Sequence, residues 1–358
     1  AGLLGASAIS LGLFAYARRR AGAHGSDIAE SMGRLRLVAD ETTGLPLLRL
    51  PEGFRYRTLS WAGAALHDGH VVPGAADGMG VVRQQGSRVT LVRNHELQGS
   101  SGAMGDPALA YDNTPGGTTT LVFDTAAETL VDSRVSLGGT LYNCAGGVTP
   151  WGTWLSCEEA TFSPALLHLP NPKKHAWWDV DRAGREHGFV FEVPAEGAAK
   201  PEPILAMGQF YHEAVAFDPG TGIAYMTEDN GPNAGFYRFV PDQPGRLQAG
   251  GRLQMMKVDL RPDMSDYLIL GQQMDVGWVD IADPTQGFTA GNRNGDGVVS
   301  QGLAAGGSRF IALEGCAYSE GRVYFTSKLG GRAISGYVLA YEPAREKIWM
   351  VYESPGHD

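Results

Sequence analysis

The feature that most constrains this chain is a hairpin that recurs four times. Each copy has a small or polar start, a turn glycine, a hydrophobic strand, and an acidic or Ser/Thr end. The copies run Asp77–Glu96 (DGMGVVRQQGSRVTLVRNHE), Asn143–Glu159 (NCAGGVTPWGTWLSCEE), His212–Asp229 (HEAVAFDPGTGIAYMTED) and Glu314–Lys328 (EGCAYSEGRVYFTSK). Hairpins of another kind lie between them, at about Thr119–Leu137, Phe189–Gly208, Phe236–Val258 and Gly336–Ser354. An inner hairpin followed by an outer one, repeated along the chain, is how four-stranded propeller blades read in sequence. The spacings between starts, 66, 69 and 102 residues, are irregular and carry no WD signature. A β-sandwich is the rival fold, but it would not gather the ends of four similar hairpins in one place. A propeller does, because its innermost strands converge on a channel. The expected class is all-β, a β-propeller with about four to five four-stranded blades.

Glycine agrees with this reading. It numbers 50 of 358 residues, about twice the usual ~7%, with no Gly-X-Y period. Hydrophobic residues at 43% are enough for a sizeable core and exclude a disordered chain. With 29 basic and 39 acidic residues the net charge is −10, which disfavours nucleic acid as a partner. Cys144, Cys157 and Cys316 are too few for a disulfide framework. Residues 1–24 read as the remnant of an export signal or an anchor: the apolar run Ala1–Ala17 is short for a membrane span and is followed by Arg18, Arg19 and Arg20. No stable span is therefore expected in the mature protein. Residues 25–53 read as an extended N-terminal segment and residues 54–358 as the propeller, with C-terminal blade structure expected to be missing after the loop Pro355–Asp358.

Polar residues concentrate at the ends of the recurrent hairpins: Asp77, Asn94, His95, Glu96, Asn143, Cys144, Glu158, Glu159, His212, Glu213, Glu228, Asp229 and Glu314. An acid after a strand is ordinarily a solvated turn residue. Recurrence at matched positions is the signal here. If the hairpins are blades, these side chains meet, and carboxylates that meet repel one another unless cations neutralise them. Oxygen-rich sites suit Ca²⁺, whereas a thiolate among carboxylates suits a transition metal.

The block NCAGGVTPWGTWLSCEE, with LVRNHE before it and HEAVAFDP, YMTED, LEG and GRVYFTS after it, resembles the PhoX-type alkaline phosphatases, as does the opening VADETTGLPLLRLPEGFRYR. The resemblance runs from about Leu37 to the end of the chain. It implies a propeller exported by the twin-arginine route to the periplasm or cell exterior. It also implies a pair of Fe(III) ions with several Ca²⁺ ions, and hydrolysis of small-molecule phosphomonoesters, expected here of a monomer. Carried over, Cys144, Glu213 and Glu314 would hold iron and form the catalytic set. Glu158, Glu159, Glu228 and Asp229 would supply calcium ligands, with Asp77, Asn94 and Glu96 as weaker candidates. Two departures stand out. The family's arginine two residues before the glutamate matched by Glu314 is Ala312 here, leaving Arg309 as a weak candidate for substrate phosphate. The family also continues beyond Asp358.

Other motifs carry less. Asn292–Gly297 (NRNGDG) resembles the first half of an EF-hand loop, but Leu303 stands where the closing Glu belongs. Trp151, Trp154, Trp177 and Trp178 read as packing, and His168, His175 and His187 lack zinc spacing. Two alternatives stay open: a calcium-only propeller hydrolase such as a lactonase, which would have no use for the Cys144 thiolate, and a non-catalytic binding propeller.

Overall fold

The computed structural model describes residues 33–99, 101–170, 183–266 and 268–356. The expected export segment, His175, Trp177 and Trp178 lie outside the described residues. A short antiparallel hairpin, β1 (Arg36–Val38) with β2 (Leu48–Leu50), precedes the blades. The first blade is β3 (Ala76–Gln85), β4 (Arg88–His95), β5 (Gly116–Asp124) and β6 (Thr129–Thr140), paired in that order. The second is β7 (Asn143–Val148), β8 (Thr153–Glu158) and β9 (Val190–Pro194). Where a fourth strand would stand, it has only a bridge between Phe191 and Pro203. The third blade is β10 (His212–Phe217), β11 (Ala224–Glu228), β12 (Phe236–Pro241) and β13 (Gly251–Val258).

The long insertion contributes β14 (Met274–Asp280) and one helix, α1 (Gly297–Ala304). The fourth blade is β15 (Leu313–Ser319), β16 (Arg322–Ser327), β17 (Tyr337–Glu342) and β18 (Lys347–Glu353). β14 pairs with β13 on one side and with β18 on the other, so the third and fourth blades are joined at their outer edges into one nine-stranded sheet. The fold is thus a β-propeller with four blades among the described residues. The NRNGDG run is a polar turn: Asn292 accepts from the Asn294 amide at 2.7 Å, and α1 begins at Gly297. Leu303 lies inside that helix, so the run cannot wrap as an EF-hand loop. Among the described residues no helix is long and apolar enough to cross a membrane.

The core lies between blade faces, because each strand sends alternate side chains to opposite sides. Tyr225 and Phe236 pack with the fourth blade around Phe325, which stacks on Phe236 at 3.9 Å. Their neighbours Met226 and Tyr237 face the second blade with Leu155 and Val190. Val82, Val92, Leu137, Trp154 and Phe191 fill the space between the first and second blades.

Glycine lets the innermost strands come close. A Cβ at Gly147 would lie 2.0 Å from the Val215 carbonyl oxygen, and one at Gly78 would lie 2.8 Å from the Ala145 Cα. β3 therefore runs beside β7, β7 beside β10, and β10 beside β15. One end of this channel is an apolar hollow of about 440 Å³, lined by Met79, Val148, Val215 and Tyr318. Polar chemistry is left to the other end, where the innermost strands begin. Gly147→Ala is expected to lose about 1–3 kcal/mol, the range for overpacking a filled site. Gly277→Ala, with nothing within 4 Å of its added methyl, should stay near neutral. Urea denaturation of the two variants checks the difference.

Candidate metal centre

Each of the four inner hairpins breaks register at the same place. The pairing skips between Ala76 and Met79, between Asn143 and Gly146, between His212 and Val215, and between Leu313 and Cys316. The bypassed residues begin with Asp77, Cys144, Glu213 and Glu314. A β-bulge re-aims the side chain it carries and leaves local backbone groups without ladder partners. Two of these bulges show how those groups are satisfied. Asn94 of the first blade donates to the Cys144 and Ala145 carbonyls at 3.0 and 2.7 Å. In the third blade the Ala214 amide donates to Thr227 Oγ1 at 3.0 Å.

The partner strands add a second set. Opposite the residue before each bulge stand His95, Glu158, Glu228 and Ser327. All four are buried, and each is followed by a more exposed residue: Glu96, Glu159, Asp229 and Lys328. Successive strand residues point to opposite faces, so the second group joins the channel and the first turns away from it. One ligand atom each from Asp77, Glu96 and Cys144 lie within 4.8 Å of one another, as do those of Cys144, Glu159 and Glu213. Cys144 Sγ is 3.4 Å from Glu213 Oε1. Glu159 hydrogen-bonds Asp229. Lys328 Nζ closes the series, 2.7 Å from Glu314 and in contact with Asp229.

Glu158 and Glu228, sequence candidates for calcium, are engaged elsewhere. The Glu158 carboxylate accepts from the amides of Leu141, Gly188 and Phe189 at 2.8, 2.8 and 3.0 Å, and from His187 Nδ1 at 2.7 Å. His187 Nε2 in turn reaches Asp112 at 3.2 Å. Burial alone would lower the His187 pKa, but the charges of Glu158 and Asp112 outweigh it and push it up to about 9. Glu228 accepts from Tyr237 Oη at 2.7 Å, the Gly235 amide at 2.8 Å and Asn230 at 3.2 Å. Asn94 spends its amide on the bulge and its oxygen on Trp154 Nε1 and Ser156 Oγ, at 2.9 and 2.8 Å. His212 is buried and donates from Nε2 to the Gly208 carbonyl at 2.9 Å, its pKa pushed down to about 3 by burial. Arg309 pairs with Asp263, Ser265 and the Pro232 carbonyl, none of which belongs to the cluster.

The electrostatics are those of crowded acids. Burial, then the Glu314 charge, pushes Glu213 up to about 8. Burial, then the Glu213 charge, pushes Glu159 up as well. The Cys144 thiol is raised by burial and by Glu213, Glu159, Asp77 and Glu96. Lys328 escaped notice in the sequence because it follows Ser/Thr at a strand end. Aligning the four hairpins on their bulges puts it in one column with Glu96, Glu159 and Asp229. A hollow of about 810 Å³, lined by Tyr111, Leu166, Phe189, Gln209 and Phe288, contains no member of the cluster.

A pH dependence follows. Acids whose folded pKa is raised stabilise the fold fully below their unfolded pKa near 4.5 and lose that contribution as pH rises through the folded value. The metal-free protein should therefore melt at a lower temperature at pH 9 than at pH 6, as Glu213 ionises through about 8. A divalent cation should abolish most of that difference by replacing the proton. Calorimetric melts with and without chelator check this; equal melting at both pH values in the chelated protein would contradict it.

The comparisons with known proteins bear on the family and the fold. The family profile of alkaline phosphatase PhoX matches residues 35–125 and 113–354. Among curated proteins nothing matches. The solved structure of Pseudomonas fluorescens PhoX in complex with vanadate, a transition state analogue, superposes with a TM-score of 0.56 at 18% identity, over 88% of this chain and 76% of that one. The PQQ-bound aldose sugar dehydrogenase of Streptomyces coelicolor aligns over 85% and 69% at 11% identity, with a TM-score of only 0.35. The four-bladed arrangement and the profile, which spans nearly all described residues, give one conclusion: the chain belongs to the alkaline phosphatase PhoX family, whose members are phosphoric monoester hydrolases.

Proposed function

We propose that this chain is an exported phosphomonoesterase whose bulge cluster holds iron and calcium. The observation that carries the reading is the convergence of a thiol and two carboxylates, Cys144, Glu159 and Glu213, within 4.8 Å in a chain of this family. The donor set fits such ions. Soft sulfur beside carboxylates suits iron, and the surrounding oxygen donors suit calcium. Buried acids with raised pKa values, such as Glu213 at about 8, have a charge to place and too little cationic charge around them. Cys144, Glu213 and Glu314 are assigned to iron, and Glu159, Asp229, Glu96 and Asp77 to calcium. Glu158, Glu228 and Asn94 hold the frame instead.

When bound, the ions supply the positive charge that polarises phosphoryl oxygens and offsets charge in the transition state. The chain's own residues do the positioning. The four bulges fix the donors on rigid strands, and Asn94 and Thr227 tie down the backbone that carries two of them. Asp77 is exposed and Lys328 half-exposed, so the cluster opens to solvent and admits a small ester. Without cations, the same acids would repel a phosphate dianion. Export is supported by the apolar run Ala1–Ala17 and the arginines after it.

The test pairs elemental analysis with hydrolysis of an aryl phosphate. Wild type should contain iron and calcium, cleave the ester and be inhibited by vanadate. Cys144→Ser should lose iron more than calcium and at least about a hundredfold in kcat, the scale of removing one charge-stabilising group. Equal iron in variant and wild type would remove Cys144 from the iron site. A metal-loaded wild type that cleaves no phosphomonoester would favour a binding propeller.

A further inference from the structure

The fourth hairpin departs from the other three at one position. The residue after the buried partner of each bulge is Glu96, Glu159 and Asp229 in the first three blades, and Lys328 in the fourth. The sign of the charge is reversed where the quasi-repeat calls for another acid. The lysine does not avoid the acids around it. Its Nζ contacts Glu314, at 2.7 Å, and Asp229 together. These carboxylates come from different blades, β15 and the end of β11, so the ammonium bridges two walls of the channel. Its backbone is fixed as well, since the Lys328 amide donates to the Ala312 carbonyl at 3.0 Å.

We propose that Lys328 is a built-in cation, standing where a divalent ion would otherwise bridge Asp229 and Glu314, so that this chain holds one divalent ion fewer than its carboxylates could bind. The inference rests on the reading of the cluster as a metal centre. An ammonium carries one charge and donates up to three hydrogen bonds without needing deprotonated ligands, so it can satisfy two carboxylates as a bound cation does. It also cannot leave when cation concentration falls. The Asp229–Glu314 side of the cluster would then keep a cationic partner under calcium depletion, while the Asp77–Glu96–Cys144 side, where no lysine among the described residues makes contact, would not.

The test compares wild type, Lys328→Met and Lys328→Arg after exhaustive chelation, using calcium alone as the probe. Lys328→Met keeps the length of the side chain and removes its charge. Equilibrium dialysis should show Lys328→Met taking up one more calcium per chain than wild type, and Lys328→Arg matching wild type. Calcium should also raise the melting temperature of Lys328→Met by more than it raises that of wild type, since the unpaired acids then gain a partner. Identical stoichiometry and identical calcium-induced shifts in wild type and Lys328→Met would overturn the proposal. Aryl-phosphate hydrolysis by wild type is measured separately. If that is absent while Lys328→Met still gains an ion, the phosphatase reading fails and the built-in cation stands. If hydrolysis is present and no ion is gained, the reverse holds.

Discussion

Like charge forced together by four matched bulges is the constraint on which this structure turns. A regular ladder would send Asp77, Cys144, Glu213 and Glu314 to positions set by strand alternation alone. The break in register at each inner hairpin turns them toward one end of the channel. Two ionised carboxylates about 4 Å apart repel by roughly 4 kcal/mol even at an effective dielectric constant of ~20. Several such pairs cannot coexist as anions in a folded domain of ordinary stability, typically about 5–15 kcal/mol in all. The acids must keep their protons or share cations, and burial together with the Glu314 charge pushes Glu213 up to about 8, toward the protonated form.

The blades solve two problems with neighbouring residues. Glu158 and Glu228 are buried carboxyl groups used as fasteners. Glu158 collects three backbone amides and His187, and so ties the β7–β8 hairpin to the chain entering β9. Glu228 collects Tyr237, Asn230 and the Gly235 amide, which ties β11 to the turn before β12. One residue further on, Glu159 and Asp229 face the channel. The fasteners are held by backbone amides and by His187, Tyr237 and Asn230, although burial still pushes Glu228 up to about 7, whereas the channel acids have mainly one another. The contrast separates supporting acids from chemical ones more sharply than burial alone.

Much of this was legible in the sequence, for a definite reason. Hairpins with turn glycines and alternating hydrophobic strands leave a clear pattern, so the blade repeat and the gathering of the hairpin ends could be read from recurrence, whereas Cys144, Glu213 and Glu314 stood out among those ends only through the family resemblance. The pairs Glu158/Glu159 and Glu228/Asp229 could not be split, because which acid faces the channel depends on register, and register depends on where the bulge falls. Lys328 was hidden by its type: a lysine at a strand end has no reason to be read with acids until the column is aligned. Arg309 sits close to Glu314 in sequence, yet it is spent on Asp263 and Ser265. The joining of two blades by β14 was also out of reach, since it rests on short pairings between Met274 and Ile348 and between Asp275 and Lys347 that no local pattern encodes. The second blade's missing outer strand has the same origin: β9 forms, but the expected second strand of the Phe189–Gly208 hairpin is reduced to a bridge between Phe191 and Pro203.

The central claim is that the bulge cluster is a cation site because its acids cannot otherwise be ionised together. Anomalous diffraction from crystals of the metal-loaded protein, collected on either side of the iron absorption edge, tests it most directly. The account predicts an edge-dependent peak bonded to Cys144 Sγ at about 2.3 Å, the usual metal–thiolate distance, and flanked by Glu213. It also predicts further peaks without that edge dependence among Glu96, Glu159 and Asp229. Iron density located away from Cys144 and Glu213, or a metal-loaded crystal with no density in the cluster, would contradict it.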